Sequence, residues 1–482
     1  MMKQIHPFFS SQKICFLVIL LVSFSLANPI SNATAANLSL SQIFLDKWLP
    51  GGAFGYPGFV GTGNFTNIEQ DEILLVSRIP DKSDIITLLY FDGNELVYTG
   101  SADRDCSTVY QYIIADFDGN GDDELLYSDD WVTDTKRHIG SVHYLYDYIG
   151  YRFHRNEALR YERPGIQLDK GTTIDIDNDH NEELLLATWD GDEACELLRL
   201  YDYEDDDFIL LSNYTLTPSE KEFFVRNIIF VGVGDFDRSG SEKVITISLW
   251  SLKSNPNQFY KSFEVYSYNS QSKNFTHEYQ GVFPNLPGSN IAFEIGDIDL
   301  DNRDEVIAYL DRTADPLLSV YEISSMDIRA EYSILRPQSD YFTTNWYRTK
   351  LLVEDLDRDY FPEILIAETK WDSPSSFMGR YEIYKIQSYQ LESISIQEIS
   401  ERPVNICTGD IDNFSDTEII NAFSSYSVAN ESAKGGMEIW TAGPRKTNQF
   451  SLANNFSGMI VMVIGTFSLV EIIKKRRKKL QS

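Results

Sequence analysis

The sequence predicts an all-β chain whose main body is a seven-bladed β-propeller. Three observations lead to that class: an acidic loop of common pattern recurs seven times; the apolar runs flanking each loop are short and strand-like; and no long 3.6-residue periodicity occurs between the two ends of the chain.

At the N-terminus, Lys3 and Lys13 precede the apolar run Ile14 to Leu26, and small-residue sites follow at Ser25-Leu26-Ala27 and Ala33-Thr34-Ala35. Residues 1–27 therefore read as a secretory signal, with cleavage as late as residue 35 as the second choice. The run is well short of the roughly 20 apolar residues a spanning helix needs.

The repeat region covers residues 41–441. Its loops are GNFTNIEQDEI from Gly63, ADFDGNGDDEL from Ala115, IDIDNDHNEEL from Ile174, GDFDRSGSEKV from Gly234, GDIDLDNRDEV from Gly296, EDLDRDYFPEI from Glu354 and GDIDNFSDTEI from Gly409. Counted from their first ligand position they begin at Asn64, Asp116, Asp175, Asp235, Asp297, Asp355 and Asp410, so the spacing stays near 58 residues. Position 2 is apolar in every loop (Phe65, Phe117, Ile176, Phe236, Ile298, Leu356, Ile411), and so is position 10 (Ile73, Leu125, Leu184, Val244, Val306, Ile364, Ile419).

The flanks, such as VYQYIIADF, KVITISLW and EILIAET, have strand composition, and Asp92-Gly93-Asn94 marks a hairpin turn. A unit of this length accommodates four strands. Seven such units, none able to bury both faces alone, close into a ring that leaves no long edge exposed. The last unit holds three strands, ending at Gly436 to Thr441, so the segment Ser41 to Leu49 is expected to supply its fourth and close the ring.

The loops place oxygen ligands at positions 1, 3, 5 and 9. A hard cation such as Ca²⁺ takes six to eight oxygens, and alternate residues of a tight loop direct carboxylates to one centre. An EF-hand closes at position 12 between helices, whereas these loops close at position 9 between strands. They are expected to be calcium loops on A–B hairpins.

Asp175/Asp177/Asp179/Glu183 and Asp297/Asp299/Asp301/Glu305 are complete sets, and Asp116/Asp118/Asn120/Glu124 is nearly so. Asp355/Asp357/Asp359/Glu363 is complete in acids, with Tyr360 and Pro362 in place of flexible residues. Asp410/Asp412/Glu418 has Phe414 at position 5 and is expected to bind more weakly; Asp235/Asp237 meets Lys243 at the closing position; Asn64/Thr66/Ile68 offers no competent set. The expectation is four good Ca²⁺ sites, one weak and two doubtful or empty. Turn capping alone favours Asp and Asn, but it does not require four acids at fixed spacing.

The loop pattern resembles the FG-GAP/VCBS repeats, the seven-bladed propeller family that includes the integrin α-subunit headpiece. The resemblance covers residues 41–441 and implies the propeller fold with the A–B loops on one face. It does not extend to an integrin proper: the turn after strand B reads Leu-Val-Ser, Ala-Thr-Trp or Ala-Glu-Thr where integrin repeats carry Gly-Ala-Pro, and no leg domains follow.

A tryptophan recurs 14 to 16 residues after loop position 1, at Trp131, Trp189, Trp250 and Trp371, with acids beside Trp131, Trp189 and Trp371 (Asp129, Asp130, Asp134, Asp190, Asp192, Glu193, Asp372). This places the four on the B–C face, opposite the acidic loops. Such residues pack between blades as a repeat consensus or form a ligand face that stacks on sugars or anchors a protein. The sequence is compatible with both.

Beyond the linker 442–455, residues 456–473 are mostly apolar and the tail 474–482 carries Lys474, Lys475, Arg476, Arg477, Lys478 and Lys479. An 18-residue helix spans about 27 Å, within range of a bilayer. The basic cluster assigns the tail to the cytoplasm and the repeat region to the outside, giving a single-pass protein of the cell membrane. Eight Asn-x-Ser/Thr sequons, at Asn32, Asn37, Asn64, Asn213, Asn274, Asn413, Asn430 and Asn455, are compatible with a glycosylated exported surface.

Composition excludes other classes. With 73 Asp+Glu against 41 Lys+Arg, the net charge of -32 repels nucleic acid. Four cysteines, one of them inside the N-terminal apolar run, encode neither a disulfide framework nor a zinc site. Neither GxSxG, HExxH nor a phosphate-binding loop occurs, and the blade-two histidines His138, His143 and His154 lack a paired nucleophile. The leading expectation is an extracellular calcium-binding propeller that recognises a protein or glycan at the cell surface. The alternative is a membrane-tethered polysaccharide-active enzyme, a lyase or hydrolase, on the same scaffold.

Overall fold

A computed structural model describes residues from Leu40 to Ala442 apart from connecting segments, the longest being 47–55, 163–169, 217–222, 311–316 and 336–345. The chain divides into Met1–Leu38, which lies outside the described residues, and Ser39–Ser482, which holds the repeat region. The segment 1–27, read above as a secretory signal, and the apolar segment 456–473 both lie outside the described residues. Among the described residues no helix is long and apolar enough to cross a membrane.

The repeat region forms seven four-stranded antiparallel sheets. Blade 1 spans 56–104, blade 2 109–162, blade 3 170–216, blade 4 223–282, blade 5 291–335 and blade 6 346–399. Within each, strands A to D follow sequence order from the axis outward. The A strands are Tyr56–Gly63, Val109–Ala115, Lys170–Ile174, Phe223–Gly234, Ile291–Gly296, Trp346–Glu354 and Pro403–Gly409, and each touches the next around a closed ring.

Blade 7 takes strands A to C from residues 403–442 and its D strand from Leu40–Asp46, in the order β(40–46), 432–442, 418–427, 403–409. Leu40 pairs with Ala442 and Asp46 with Met437. The ring is thus closed by the first segment of the chain, as its three-stranded last unit required. Gln42 secures it further, its Nε2 donating to Glu438 Oε2 at 3.0 Å.

The core lies between blades. Phe65, Leu74, Val76, Ile86 and Leu88 of blade 1 pack with Leu125, Tyr127, Tyr146 and Tyr148 of blade 2, and Ile298, Ile307 and Val320 of blade 5 with Ile364, Ile366 and Tyr384 of blade 6. Inner strands are covered on both faces, so the blade 5 B strand Glu305–Leu310 is buried at every residue, whereas the blade 3 D strand Asp207–Leu216 mostly alternates. Position 10 is buried in all seven loops, and position 2 in every loop but that of blade 3, where Ile176 is half-buried. Each such Leu, Ile or Phe contributes about 1.5–3 kcal/mol.

Candidate metal centres

The acidic loops join strand A to strand B in every blade, as the spacing predicted. Their shape has a backbone cause. Position 4 has a positive φ in four blades (Gly119 67°, Arg238 60°, Leu300 60°, Arg358 51°), and so has position 6 (Gly121 90°, Gly240 72°, Asn302 65°, Tyr360 73°). Two left-handed residues flanking position 5 curl the chain so that the acids at positions 1 and 3 face one centre in blades 2, 5 and 6, joined in blade 6 by Asp359 at position 5. Hydrogen bonds fix the curl: in blade 2, Asn120 N donates to Asp116 Oδ1 and Asp118 Oδ1, both at 3.1 Å, and Gly121 N to Asp116 Oδ2 at 2.9 Å. Blade 5 repeats this with Asp301 N and Asn302 N on Asp297 and Asp299, and blade 6 with Asp359 N and Tyr360 N on Asp355 and Asp357.

The closing glutamate comes from the first residue of strand B and is buried. Its Oε2 accepts from the position 2 amide: Glu124 from Phe117 (2.9 Å), Glu183 from Ile176 (2.8 Å), Glu305 from Ile298 (3.1 Å), Glu363 from Leu356 (2.9 Å) and Glu418 from Ile411 (3.2 Å). In blades 2 and 5 the other oxygen, Oε1 of Glu124 and of Glu305, is buried without a hydrogen-bond partner. Burial, reinforced by Asp118 and by Asp299 respectively, pushes Glu124 up to about 8 and Glu305 up to about 9. A buried carboxylate oxygen facing other acids is the donor a hard divalent cation requires.

Four described clusters bring ligand atoms within 4.8 Å of one another: Asp116/Asp118/Glu124, Asp297/Asp299/Glu305, Asp355/Asp357/Asp359 and Asp410/Asp412/Glu418. These could hold metal ions. Asp177 and Asp179 lie outside the described residues, so of the blade 3 set only Asp175 and Glu183 are placed.

Position 9 of blade 4 supplies the cation the loop pattern showed, Lys243, and position 4 and strand C supply others that it did not. In blade 4, Lys243 pairs with Asp237; against the cost of burial, its hydrogen bond holds Asp237 down to about 2. In blade 6, Lys385 of strand C puts a buried ammonium among the acids, donating to Asp359 Oδ1 at 2.8 Å and to Glu363, with Asp357 at 3.7 Å. Against its own burial, Asp359 and Glu363 raise the Lys385 pKa, keeping it charged. The blade 6 loop, complete in acids by sequence, thus already contains a tethered cation. Arg238 and Arg358 reach from blades 4 and 6 to Asp301 of blade 5 and Asp410 of blade 7, taking Oδ2 and leaving Oδ1 without a partner in each case.

Position 8, which the sequence reading passed over, links neighbouring blades. Asp123 N donates to Asn64 O at 2.6 Å while its carboxylate accepts from Asn64 N at 2.6 Å. Asp304 makes the same reciprocal pair with Asp235, and Asp71 with Asp410, the last joining the first blade to the seventh. Glu182 N donates to Asp116 O at 3.1 Å, and Thr417 N to Leu356 O at 3.3 Å. Pro362 occupies the position in blade 6 and has no N–H to donate. The available signal was an acid at position 8 in Asp71, Asp123, Glu182, Glu242 and Asp304.

The four tryptophans sit near the far end of strand B in blades 2, 3, 4 and 6, opposite the acidic loops. Of their side chains only Trp250 is described: it is half-buried and stacks on Tyr260 at 4.6 Å between ring centres. Among the histidines, His143 is fully buried and shares a 2.7 Å hydrogen bond with Ser128 Oγ, while His154 is exposed.

No family model matches the chain, and no curated protein matches it in sequence. Among solved structures it is similar to the rhamnogalacturonan lyase YesW, at 11% identity over 75% of this chain and 80% of that one with a TM-score of 0.35. A rhamnogalacturonan lyase of Bacillus licheniformis gives 10%, 80%, 90% and 0.35, and Sqt1 of Saccharomyces cerevisiae 11%, 85%, 100% and 0.42. Similarities of this size carry no function across.

Proposed function

We propose that the protein is an FG-GAP/VCBS-like propeller that binds Ca²⁺ in its A–B loops and presents its opposite face for recognition of a protein or glycan at the outer surface of a membrane. The observation that carries the calcium reading is the unpartnered, buried Oε1 of Glu124 and of Glu305, each set among position 1 and 3 acids. Asp116, Asp118, Asn120 and Glu124 would hold one ion, and Asp297, Asp299, Asp301 and Glu305 another. A bound ion supplies the positive charge that lets these acids sit together ionised, fixing each hairpin and, through position 8, the neighbouring blade. The role is structural, leaving recognition to the other face. There the half-buried Trp250 on Tyr260 supports a flat stacking platform of the kind that binds a sugar ring or an aromatic anchor.

Calorimetry in calcium and in chelator tests the first part: a lower melting temperature in chelator is expected, and an unchanged one rejects structural calcium. A glycan array read in both conditions, with Trp250→Ala as the comparison, tests the second. Binding lost in a variant that still folds supports recognition; cleavage of a bound glycan assigns an enzyme instead.

A further inference from the structure

Among the described residues, exposed apolar tips gather along one arc of the A–B loop face, and the chain leaves the propeller within that arc. Strand C of each blade runs back toward the A–B loops, so the last described strand, Ser432–Ala442, ends on that face, with Ala442 paired to Leu40 at its edge. Both ends of the described domain therefore lie on the acidic-loop face at blade 7. From there the linker 443–455 leads to the apolar segment 456–473 and can reach at most about 45 Å when fully extended.

Large apolar side chains stand exposed on the same face around that exit. Blade 6 contributes Tyr360 (83% exposed) and Phe361 (45%) from its A–B loop and Tyr389 (89%) from its C–D turn. Leu300 of blade 5, Ile68 of blade 1 and Ile149 of the blade 2 C–D turn extend the arc on either side of blade 7. Tyr360 and Tyr389 take left-handed backbone conformations, with φ of 73° and 63°, that are costly for a tyrosine.

Across the ring, the described loop and turn residues of blade 4 are polar on this face, whereas blade 3 exposes Ile209 and Leu210 at the start of its D strand. Blade 4 exposes Asp237, Arg238, Ser239, Gly240 and Ser241 in its loop and only polar residues from Asn269 to Asn274 in its turn; Glu204 and Asp207 flank the blade 3 turn, exposed. In blade 6, moreover, Lys385 and Arg358 offset part of the acidic charge under the apolar tip.

We propose that the A–B loop face rests on the lipid bilayer that carries the chain's own anchor, tilted so that Tyr360, Phe361, Tyr389 and Leu300 enter the headgroup layer while blade 4 stands clear. The occupant is a neutral phosphatidylcholine surface, because the acids of the other loops oppose an anionic one. Tyrosine and phenylalanine at exposed loop tips suit the interface, where one end of the ring meets hydrocarbon and the other water. The proposal rests on the reading of 456–473 as a membrane span, and it orients the tryptophan-bearing B–C face away from the membrane.

The test uses the full chain in phosphatidylcholine vesicles with calcium present, carrying an environment-sensitive fluorescent amino acid at position 360, 389, 239 or 282 and doxyl-labelled lipid as quencher. Val282 ends the blade 4 D strand on the B–C side and reports the far face. Quenching at 360 or at 389 is expected to be at least twofold stronger than at 239, with none at 282. Two labelled tip positions guard against one variant failing to fold. Equal quenching at 239 removes the tilt, and stronger quenching at 282 reverses the face; either overturns the proposal. Flotation of the same samples separates the two readings. A chain that floats without quenching at 360 and 389 keeps its anchor and loses the docking face, whereas a chain that stays with the soluble fraction loses both.

Discussion

Blades 2 and 6 carry nearly the same loop and treat charge in opposite ways. Both curl through left-handed positions 4 and 6, both place acids at positions 1 and 3, and both close with a buried glutamate. The difference comes from strand C. In blade 6 the residue following Tyr384, the partner of Ile364, is Lys385, and its ammonium sits among the acids. In blade 2 the residue following Tyr146, the partner of Leu125, is Asp147, which adds negative charge and helps raise Glu124. One hairpin has part of its charge offset from within by Lys385; the other has only acids and calls for an ion. A loop motif therefore states which acids converge, while a neighbouring strand decides what cation they receive.

The largest effect should come from removing the internal cation. Lys385→Met leaves Asp357, Asp359 and Glu363 facing one another, and breaking a buried pair of this kind costs about 3–5 kcal/mol. Denaturant unfolding in chelator should show that loss, and calcium should restore much of it, turning blade 6 into a blade of the other type. If calcium restores nothing, the two loops are not equivalent. Next in size, Glu124→Gln should delete one equivalent of bound calcium in a titration calorimeter. It should also reduce calcium-dependent stabilisation by roughly 2.7 kcal/mol at a hundredfold excess over Kd, with little change in chelator.

A pH series sharpens the comparison without mutation. Glu124 and Glu305 have folded-state values near 8 and 9, above the ordinary 4.5, so the folded state binds more protons than the unfolded one between those limits. Stability in chelator should accordingly fall as pH rises from about 5 to 9, where the unfolded chain ionises first. Calcium requires the ionised form, so its stabilising increment should grow over the same range. A melting temperature in chelator that rises through this window would contradict the burial of these acids. The smallest effect concerns backbone shape: Tyr360→Gly should stabilise blade 6 by about 1 kcal/mol by relieving a left-handed tyrosine, and Gly121→Ala should weaken blade 2 by a similar amount at φ 90°. Thermal unfolding of the two variants reads both signs.

Much of this was legible because it is local and periodic. The recurring apolar residues at positions 2 and 10 were visible and are buried in all but one place, and the short seventh unit predicted that residues near Ser41 would complete the ring. The acids of the loops were equally visible, since a hairpin's ligands lie within nine residues of one another. Lys385 was not, because it lies 22 residues beyond Glu363 and nothing in the intervening sequence marks it as a neighbour of the loop. Nor were the pairs Asp123–Asn64 and Asp71–Asp410, whose members are 59 and 339 residues apart.

By itself, then, the sequence determined the number of blades, the strand content, the position of the acidic hairpins and the segment that closes the ring, since a repeat writes the same short-range physics seven times. Only the tertiary structure decided that Lys385 enters the blade 6 hairpin, that position 8 joins five blades to a neighbour through Asp71, Asp123, Glu182, Asp304 and Thr417, and that the apolar tips gather around the point where the chain departs. Those outcomes depend on distances between strands and blades that are far apart in the chain, and Coulomb energy and burial respond to that spatial separation whatever the separation in sequence.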